Sequence, residues 1–360
     1  MKILVTGSTG FIGSQLCRAL VEAGHHVLAF HRASSSLGAL EGLPDCSGPD
    51  QPGCLEHIIG DVTQPETLPA ALQGVEAVFH TAGLVSASAQ PGRLYAVNVE
   101  GTRALLEAAR TAGVRRVVFT SSASALGVPL SGPAPVDERH TWNFIPQHWP
   151  YAYTKYQAEL EIQKSVATGQ DVVIVNPSLV FGAGDIYNAS RSILARAADR
   201  QVGFVTEGGL NVVHIRDVVA GHLAALEKGR RGERYLLCGQ NLTHLELLQI
   251  ASAAAGVPAP TLVLPAGLVR SLAGPLHLLQ SFIDLPVSPS LLPLAGYYFY
   301  YDGSKARGDL GLPEPRPAEE AIREALEWLM EQRSNSRPNA GQSLKTVPLE
   351  KSVGKERKSK

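Results

Sequence analysis

No run in this 360-residue chain reaches the ~18 apolar residues that a membrane-crossing helix needs. The most apolar region, Leu262 to Tyr300, is cut by Arg270, Pro275, Asp284, Pro286 and Pro289. It therefore predicts helices covering a hydrophobic site, with contact to a membrane surface as a lesser use. The apolar run after Lys2 breaks at Gly7 and Gly10, which predicts no signal peptide. A net charge of −1 gives no reason to expect a nucleic-acid partner. That small number hides an asymmetry. Between Ser334 and Lys360 seven Lys/Arg stand against Glu350 and Glu356, so this tail is +5 and the body −6.

Only four cysteines occur, too few and too scattered for a disulfide framework. Reduced structural thiols are the default and fit a cytoplasmic protein. A Cys46–Cys54 bridge is the alternative left open, and the seven residues between the two are not a metal spacing. None of the 11 histidines falls in a His-Glu-x-x-His or similar cluster, so no metal is expected.

What the chain does have is alternation. Lys2–Thr6 reads as a strand, and Gly7-Ser8-Thr9-Gly10-Phe11-Ile12-Gly13 leads into a helix through Glu22. Glycines let the backbone turn tightly and approach a pyrophosphate, whose charge meets the helix N-terminus. His26–Phe30, Leu55–Gly60, Val75–Thr81, Arg116–Thr120 and Val172–Asn176 read as further strands, with helical patterns at Leu94–Ala112 and Tyr151–Thr168. This order implies an α/β fold built on a doubly wound parallel sheet of the Rossmann type. Small residues at Ala82-Gly83 would let a cofactor lie against the backbone, and Asp61-Val62 would meet its adenine ring. A dehydrogenase using NAD usually carries an acid about 20 residues after the glycines. Here the second strand ends His31-Arg32-Ala33-Ser34. Arg32 suits a 2′-phosphate, which favours NADP over NAD.

Beyond Ser178 the alternation loosens. Asn211–Ile215 and Glu233–Cys238 read as short strands, and Asp217–Lys228 and Thr243–Ala255 as helices with Asp217 and Thr243 as N-caps. Pro317–Glu331 is the last amphipathic helix. The expected division is 1–177 for the cofactor-binding core with the catalytic helix. Residues 178–333 form a smaller, mainly substrate-binding region with some elements returning to the core, and 334–360 a disordered tail.

The chemistry centres on Tyr151-Ala152-Tyr153-Thr154-Lys155. Residues four apart share a helix face, and a phenol titrating near ~10 is a poor acid or base at neutral pH. A neighbouring ammonium would lower that value, so Tyr151 and Lys155 suit a carbonyl/alcohol interconversion.

Thr6-Gly7-x-x-Gly10-x-x-Gly13, Asp61-Val62, His80-Thr81-Ala82-Gly83, Asn98, Thr120-Ser121-Ser122, Tyr151-x-x-x-Lys155 and Asn176-Pro177, in that order, resemble an extended short-chain dehydrogenase/reductase of the NAD-dependent epimerase/dehydratase family over about Met1–Glu331. Asn176-Pro177-Ser178-x-Val180-x-Gly182, His214-Ile215-x-Asp217-Val218 and Gly232-Glu233-Arg234-Tyr235 look closest to its dihydroflavonol-reductase-like group and to sugar epimerases linked to hopanoid synthesis. The resemblance implies Tyr151 as acid/base, Lys155 on the nicotinamide ribose and Ser122 on the substrate oxygen, with Ser124 as a second contact. It implies a cofactor site at Gly7, Thr9, Gly10, Phe11, Ile12, Gly13, Arg32, Asp61, Val62, Thr81, Ala82, Gly83, Asn98, Lys155, Asn176 and Pro177. Asn98 would support the active-site backbone rather than perform chemistry. His214 stands where the family often presents a substrate-facing residue, while His80 reads as a satisfied structural histidine. The aromatic loop Trp142 to Trp149 is a departure that reads equally as a lid for a bulky apolar substrate or as core. Helices 94–112 and 151–168 would pair across a four-helix interface in a homodimer, as the family often does.

The leading expectation is an NADP-dependent reductase acting on a ketone or aldehyde of a small apolar or aromatic molecule. The alternatives are a nucleotide-sugar epimerase or dehydratase holding NAD tightly, and a non-catalytic NADP-binding sensor. The missing acid after the second strand and the apolar 262–300 segment count against the first of these. The intact Tyr151, Lys155 and Ser122 set counts against the second.

Overall fold

Seven short strands of the first two-thirds of the chain line up in one parallel sheet. The computed structural model describes residues 1–48, 51–85, 89–185, 189–272 and 289–335; the basic tail beyond 335 and the stretch 273–288 lie outside them. In chain order the strands are β1 (Lys2–Thr6), β2 (His26–His31), β3 (Cys54–Ile59), β4 (Ala77–His80), β5 (Arg116–Thr120), β6 (Val172–Pro177), β7 (Leu179–Phe181), β8 (Phe204–Thr206), β9 (Gly209–His214), β10 (Arg234–Leu237), β11 (Gln240–Thr243), β12 (Leu262–Leu264) and β13 (Tyr298–Phe299). The helices are α1 (Phe11–Glu22), α2 (Leu68–Ala71), α3 (Pro91–Tyr95), α4 (Gly101–Thr111), α5 (Pro150–Ala167), α6 (Ala189–Ala198), α7 (Ile215–Lys228), α8 (His244–Ala254), α9 (Ala266–Ser271), α10 (Ser304–Leu310) and α11 (Ala318–Asn335).

The sheet order is β10-β6-β5-β4-β1-β2-β3, every neighbour parallel. Strands covered on both faces need apolar residues at consecutive positions, and β1, β4, β5 and β6 supply them. One face buries Val5, Val27, Phe79 and Val175 against Leu16 and Leu20 of α1 and Val218 of α7. The other buries Leu4, Val78 and Ile174 against Leu105 of α4 and Ile162 of α5. Each large side chain so buried contributes roughly 1.5–3 kcal/mol. The result is a three-layer sandwich whose strand ends carry the loops.

The rest of the chain builds a smaller lobe at those ends. Its sheet runs β11-β9-β13, with β7 also pairing β9; β8 and β12 form a separate parallel pair. Leu194 of α6, Leu247 of α8 and Ile322 of α11 close over it. β10 leaves this lobe to join the main sheet beside β6.

Three local expectations change. The helix foreseen over 94–112 is interrupted by a π-helical turn at Ala96–Glu100, a geometry frequent at functional sites. Asp217 does not cap α7. His214 does, accepting from the Arg216 N–H, while Asp217 accepts from the Arg316 N–H at 2.8 Å and pairs with its guanidinium. Thr243 caps α8 as expected, in a reciprocal box with Glu246. Finally, Cys46 and Cys54 are joined as a disulfide rather than left as thiols. The cause is a short edge pairing: Leu55 N–H donates to Pro44 O at 2.8 Å and Cys46 N–H to Leu55 O at 3.1 Å, which brings the two Cα atoms to 5.0 Å.

Candidate active site

The carboxyl end of β1 turns through Gly7, whose φ of +67° suits glycine. A side chain there would press on the Ala82 backbone at 2.7 Å, and one at Gly13 would sit 2.2 Å from Gly7 O. Thr81 Oγ1 donates to Thr6 O at 2.7 Å, tying the loop after β4 to the loop after β1. Buried Thr9 lies in this turn, and Phe11 and Ile12 open α1 behind the Gly10 N-cap. A bare-backbone cradle at a helix N-terminus fits a dinucleotide pyrophosphate. At Gly83 an added carbon would meet Lys155 Nζ at 3.2 Å and Asn98 Oδ1 at 3.4 Å, so the floor toward the catalytic helix is equally bare.

Around the cradle, Asp61 holds the turn after β3 by accepting from Thr63 N–H and Oγ1 at 2.9 and 2.8 Å. Val62 is buried against Gly101. Arg32 is exposed just past β2, and among the described residues no carboxylate pairs with it. Asn98, on the π turn, clamps Leu84 from both sides: its Oδ1 accepts from the Leu84 N–H at 2.7 Å and its Nδ2 donates to Leu84 O at 3.1 Å. The same Nδ2 reaches Thr154 Oγ1 at 3.0 Å. His80 is held between Thr6 Oγ1 at 2.7 Å and Thr102 Oγ1 at 3.1 Å. Burial pushes its pKa down to about 3, with Lys155 adding to the effect; it is the satisfied structural histidine expected from the sequence.

Ser122, Ser124, Tyr151 and Lys155 converge. Ser124 Oγ donates to Ser122 Oγ at 2.8 Å, and the Ser122 hydroxyl lies beside the Tyr151 phenol, near enough to bear on its titration. Tyr151 keeps partial exposure on the first turn of α5. The protein around the phenol raises its pKa to about 12, against a lowering contribution from Ser122. Among the described residues Lys155 makes no hydrogen bond to the Tyr151 phenol. Lys155 Nζ donates instead to Thr120 O at 2.8 Å and lies 4.9 Å from the Phe119 ring centroid. Burial lowers its pKa to about 8, partly offset by Glu159. Four residues along a helix share a face, but they need not touch when a strand carbonyl competes for the donor.

Glu159 was not foreseen as a site residue. Its Oε1 accepts from Ser121 Oγ at 2.5 Å and Asn176 Nδ2 at 2.6 Å, and its Oε2 pairs with Arg234 at 3.2 Å. Asn176 Nδ2 also donates to Ser122 O at 3.0 Å. Asn176, proposed from sequence as a cofactor contact, thus lies under the Ser122 backbone, with Pro177 closing β6 behind it. The available signal was position: Glu159 follows Lys155 by four, so Tyr151, Lys155 and Glu159 share one stripe.

His214 is a second correction. Its side chain is fully buried, Nε2 lies 3.2 Å from Glu324 of α11 and Nδ1 accepts from Arg216 N–H. Both ring nitrogens are spent on the junction of β9, α7 and α11, so it does not face a substrate.

The aromatic loop packs against α5 and β13. Trp142 stacks on Tyr156 and tilts on Tyr153, both of α5. Phe144 and Trp149 meet Tyr297 and Phe299 edge-on at 6.2 and 5.2 Å between centroids. Asn143 ties the loop down, accepting from Val128 N–H and donating to Val128 O. The chain around Ser122 is therefore backed by carbon: Ala123, Leu126 and Val128 pack with Phe299 and Tyr301.

Residues 3–238 match the NAD dependent epimerase/dehydratase family. A Methylococcus capsulatus protein named sterol demethylase protein B is 36% identical over 342 residues, covering 92% of this chain and 99% of its own. A Synechocystis protein provisionally named dihydroflavonol 4-reductase is 35% identical, with 90% and 93% covered. Among solved structures, a nucleoside-diphosphate-sugar epimerase from Pseudomonas aeruginosa superimposes with a TM-score of 0.76 at 26% identity, covering 92% of this chain and 98% of its own.

Proposed function

The chain belongs to the NAD dependent epimerase/dehydratase family and is an NAD(P)-dependent oxidoreductase; within that family we propose that it reduces the ketone of a bulky, apolar molecule using NADPH. The observation that carries this reading is the grouping of the Ser124, Ser122 and Tyr151 hydroxyls, the first two hydrogen-bonded, against a hydrocarbon wall. A carbonyl oxygen can be bound there, and the body of the molecule would rest on aromatic and aliphatic carbon. The one cation among described residues 262–300, Arg270, is already spent, donating to Ala295 O at 2.7 Å and stacking on Tyr297. That leaves no cation there for a sugar diphosphate.

In this reading the glycine turn and the α1 N-terminus hold the pyrophosphate, Arg32 the 2′-phosphate and Lys155 the nicotinamide ribose. The nicotinamide supplies the hydride. Ser122 donates a hydrogen bond to the substrate oxygen and Tyr151 gives it a proton. Asn176 and Glu159 hold the Ser122 loop from beneath. Two further parts of the proposal are the division at 177/178 and a homodimer through α4 and α5, on which Leu160 is 43% exposed. Light scattering at the monomer mass of 38.3 kDa would remove the dimer. A cytoplasmic location also belongs here, and the Cys46–Cys54 bridge is its main opponent.

The test begins with nucleotide released from denatured, freshly purified protein, followed by titration of the stripped protein with NADPH and NADH. An empty protein preferring NADPH, with the preference lost in Arg32→Ala, is the expected result. Near-stoichiometric bound NAD would instead support an epimerase or dehydratase, as would turnover of a sugar nucleotide.

A further inference from the structure

At the opposite end of the sheet from the glycine turn, the amino ends of β2 and β3 bring together three side chains unrelated to the reaction. His26 and Cys54 are direct partners in the β2–β3 register, and the Pro44–Cys46 segment lays Cys46 alongside. One nitrogen of His26 and the two sulfurs all lie within 4.8 Å of one another. His26 is 7% exposed. Its Nε2 lies 3.0 Å from the Glu56 carboxylate, so in the tautomer that donates to Glu56 the free lone pair is on Nδ1. Nδ1 is buried and, among the described residues, has no hydrogen-bond partner. A buried acceptor without a donor costs about 1–3 kcal/mol, so its retention calls for a use.

We propose that the Cys46–Cys54 pair, once reduced, forms with His26 Nδ1 a binding site for a thiophilic divalent cation of the zinc type. Two thiolates and one imidazole are a zinc donor set, with water or a carbonyl completing the tetrahedron. Glu56 stands as the carboxylate that orients a ligating histidine and raises its basicity. The exchange balances. A dithiol gives two electrons and two protons to the S–S bond, becoming a disulfide itself and leaving two thiols. Both thiols lose their protons as the cation binds, and the cation, two thiolates and neutral imidazole sum to zero charge. Disulfide and metal are alternative closures of the same sheet edge, so the occupied state reports the redox poise around the protein. The spacing of Cys46 and Cys54 hides this because the third ligand comes from a neighbouring strand, which is also why the sequence alone predicted no metal.

The full chain, reduced with a phosphine that is then removed under anaerobic conditions, is titrated with Co²⁺. Thiolate-to-cobalt charge-transfer absorption saturating at one ion per chain is expected, and none in the oxidised chain. Glu56→Gln should weaken binding about 10-fold, and His26→Gln and Cys46→Ser more. NADPH affinity read on every variant reports its folding and is independent of the metal. Absence of the charge-transfer band in the reduced chain, or unchanged affinity in His26→Gln and Glu56→Gln with NADPH binding intact, would overturn the site. The thiols would then simply donate to Nδ1.

Discussion

The carboxyl end of the seven-stranded sheet and the smaller lobe above it bury side chains in opposite ways. At the sheet end, buried polar groups hold one another: Ser121, Glu159, Asn176 and Arg234 form one network, Asn98 and Thr154 another. In the lobe, the interior between α6, α8 and α11 is hydrocarbon, and polar order is concentrated at Asn211. Its Oδ1 accepts from Ser178 Oγ and the Gly239 N–H, and its Nδ2 donates to Asn241 Oδ1 and Gly239 O. Networks of the first kind specify geometry, because each member has a partner to lose. A hydrocarbon interior fixes volume and tolerates changes of shape far better. The geometry at the sheet end is thus held rigidly, while the lobe interior is free to vary.

The sharpest test of that division is Tyr151→Phe. In the proposed reduction the phenol hydroxyl is the proton donor, so kcat should fall about 10³-fold, ~4 kcal/mol on the barrier. NADPH affinity and Tm should stay near wild type. A loss of cofactor binding of the same size would mean Tyr151 is structural and would erase the distinction.

Asn211→Ala probes the opposite side. It leaves part-buried Ser178 and Gly239 groups unpaired at the seam between sheet and lobe, for a cost of about 2–3 kcal/mol over the several bonds lost. Urea unfolding should lose cooperativity, because the lobe detaches first. A single sharp transition would show the two regions to be one unit.

Lys155→Met separates stability from function at the network itself. Burial lowers the Lys155 pKa from 10.5 to about 8, so between those values the unfolded chain binds more protons and stability rises with pH. Below about pH 8 the ammonium is buried at full cost, roughly 3 kcal/mol for that shift. Removing it also removes the bond to Thr120 O, worth ~1 kcal/mol. Lys155→Met should therefore be about 2 kcal/mol more stable at pH 7 and lose that advantage by pH 10.5, while turnover collapses. Equal gains at pH 7 and 10.5 would discard the buried-ammonium account.

The same contrast explains what was legible in the sequence. Strands β1, β2, β4, β5 and β6 announce themselves because burial on both faces demands largely apolar runs, and the Gly turn after β1 is forced by backbone contacts such as Gly13 on Gly7 O. β7, β8, β12 and β13 are two or three residues long, too short for any periodicity to register. Within the site, Tyr151, Lys155 and Ser122 were visible as residue types in a known order. What Lys155 bonds to was not, since Thr120 O is supplied by a strand 35 residues away. Glu159 was hidden for the same reason: its partners come from the residue after β5 and from β6 and β10. His214 misled because a residue can occupy a family position and still have both nitrogens consumed locally.

The smallest effect lies where sequence and structure agree. Thr243 and Glu246 cap α8 reciprocally: the Thr243 hydroxyl accepts from the Glu246 N–H at 3.1 Å and the Glu246 carboxylate from the Thr243 N–H at 2.7 Å. That bonding holds the Glu246 carboxyl below its usual range. Thr243→Ala should cost ~1 kcal/mol, read as a fall in Tm with kcat and NADPH affinity unchanged, since α8 touches the lobe interior and not the grouped hydroxyls. The box also fails on its own as acid is added. A depressed carboxyl contributes stability above its unfolded pKa of 4.5 and loses it as pH falls through the folded value. The gap between wild type and Thr243→Ala should therefore narrow below pH 4.5. If it stays constant, the hydroxyl alone stabilises the helix and Glu246 is a bystander.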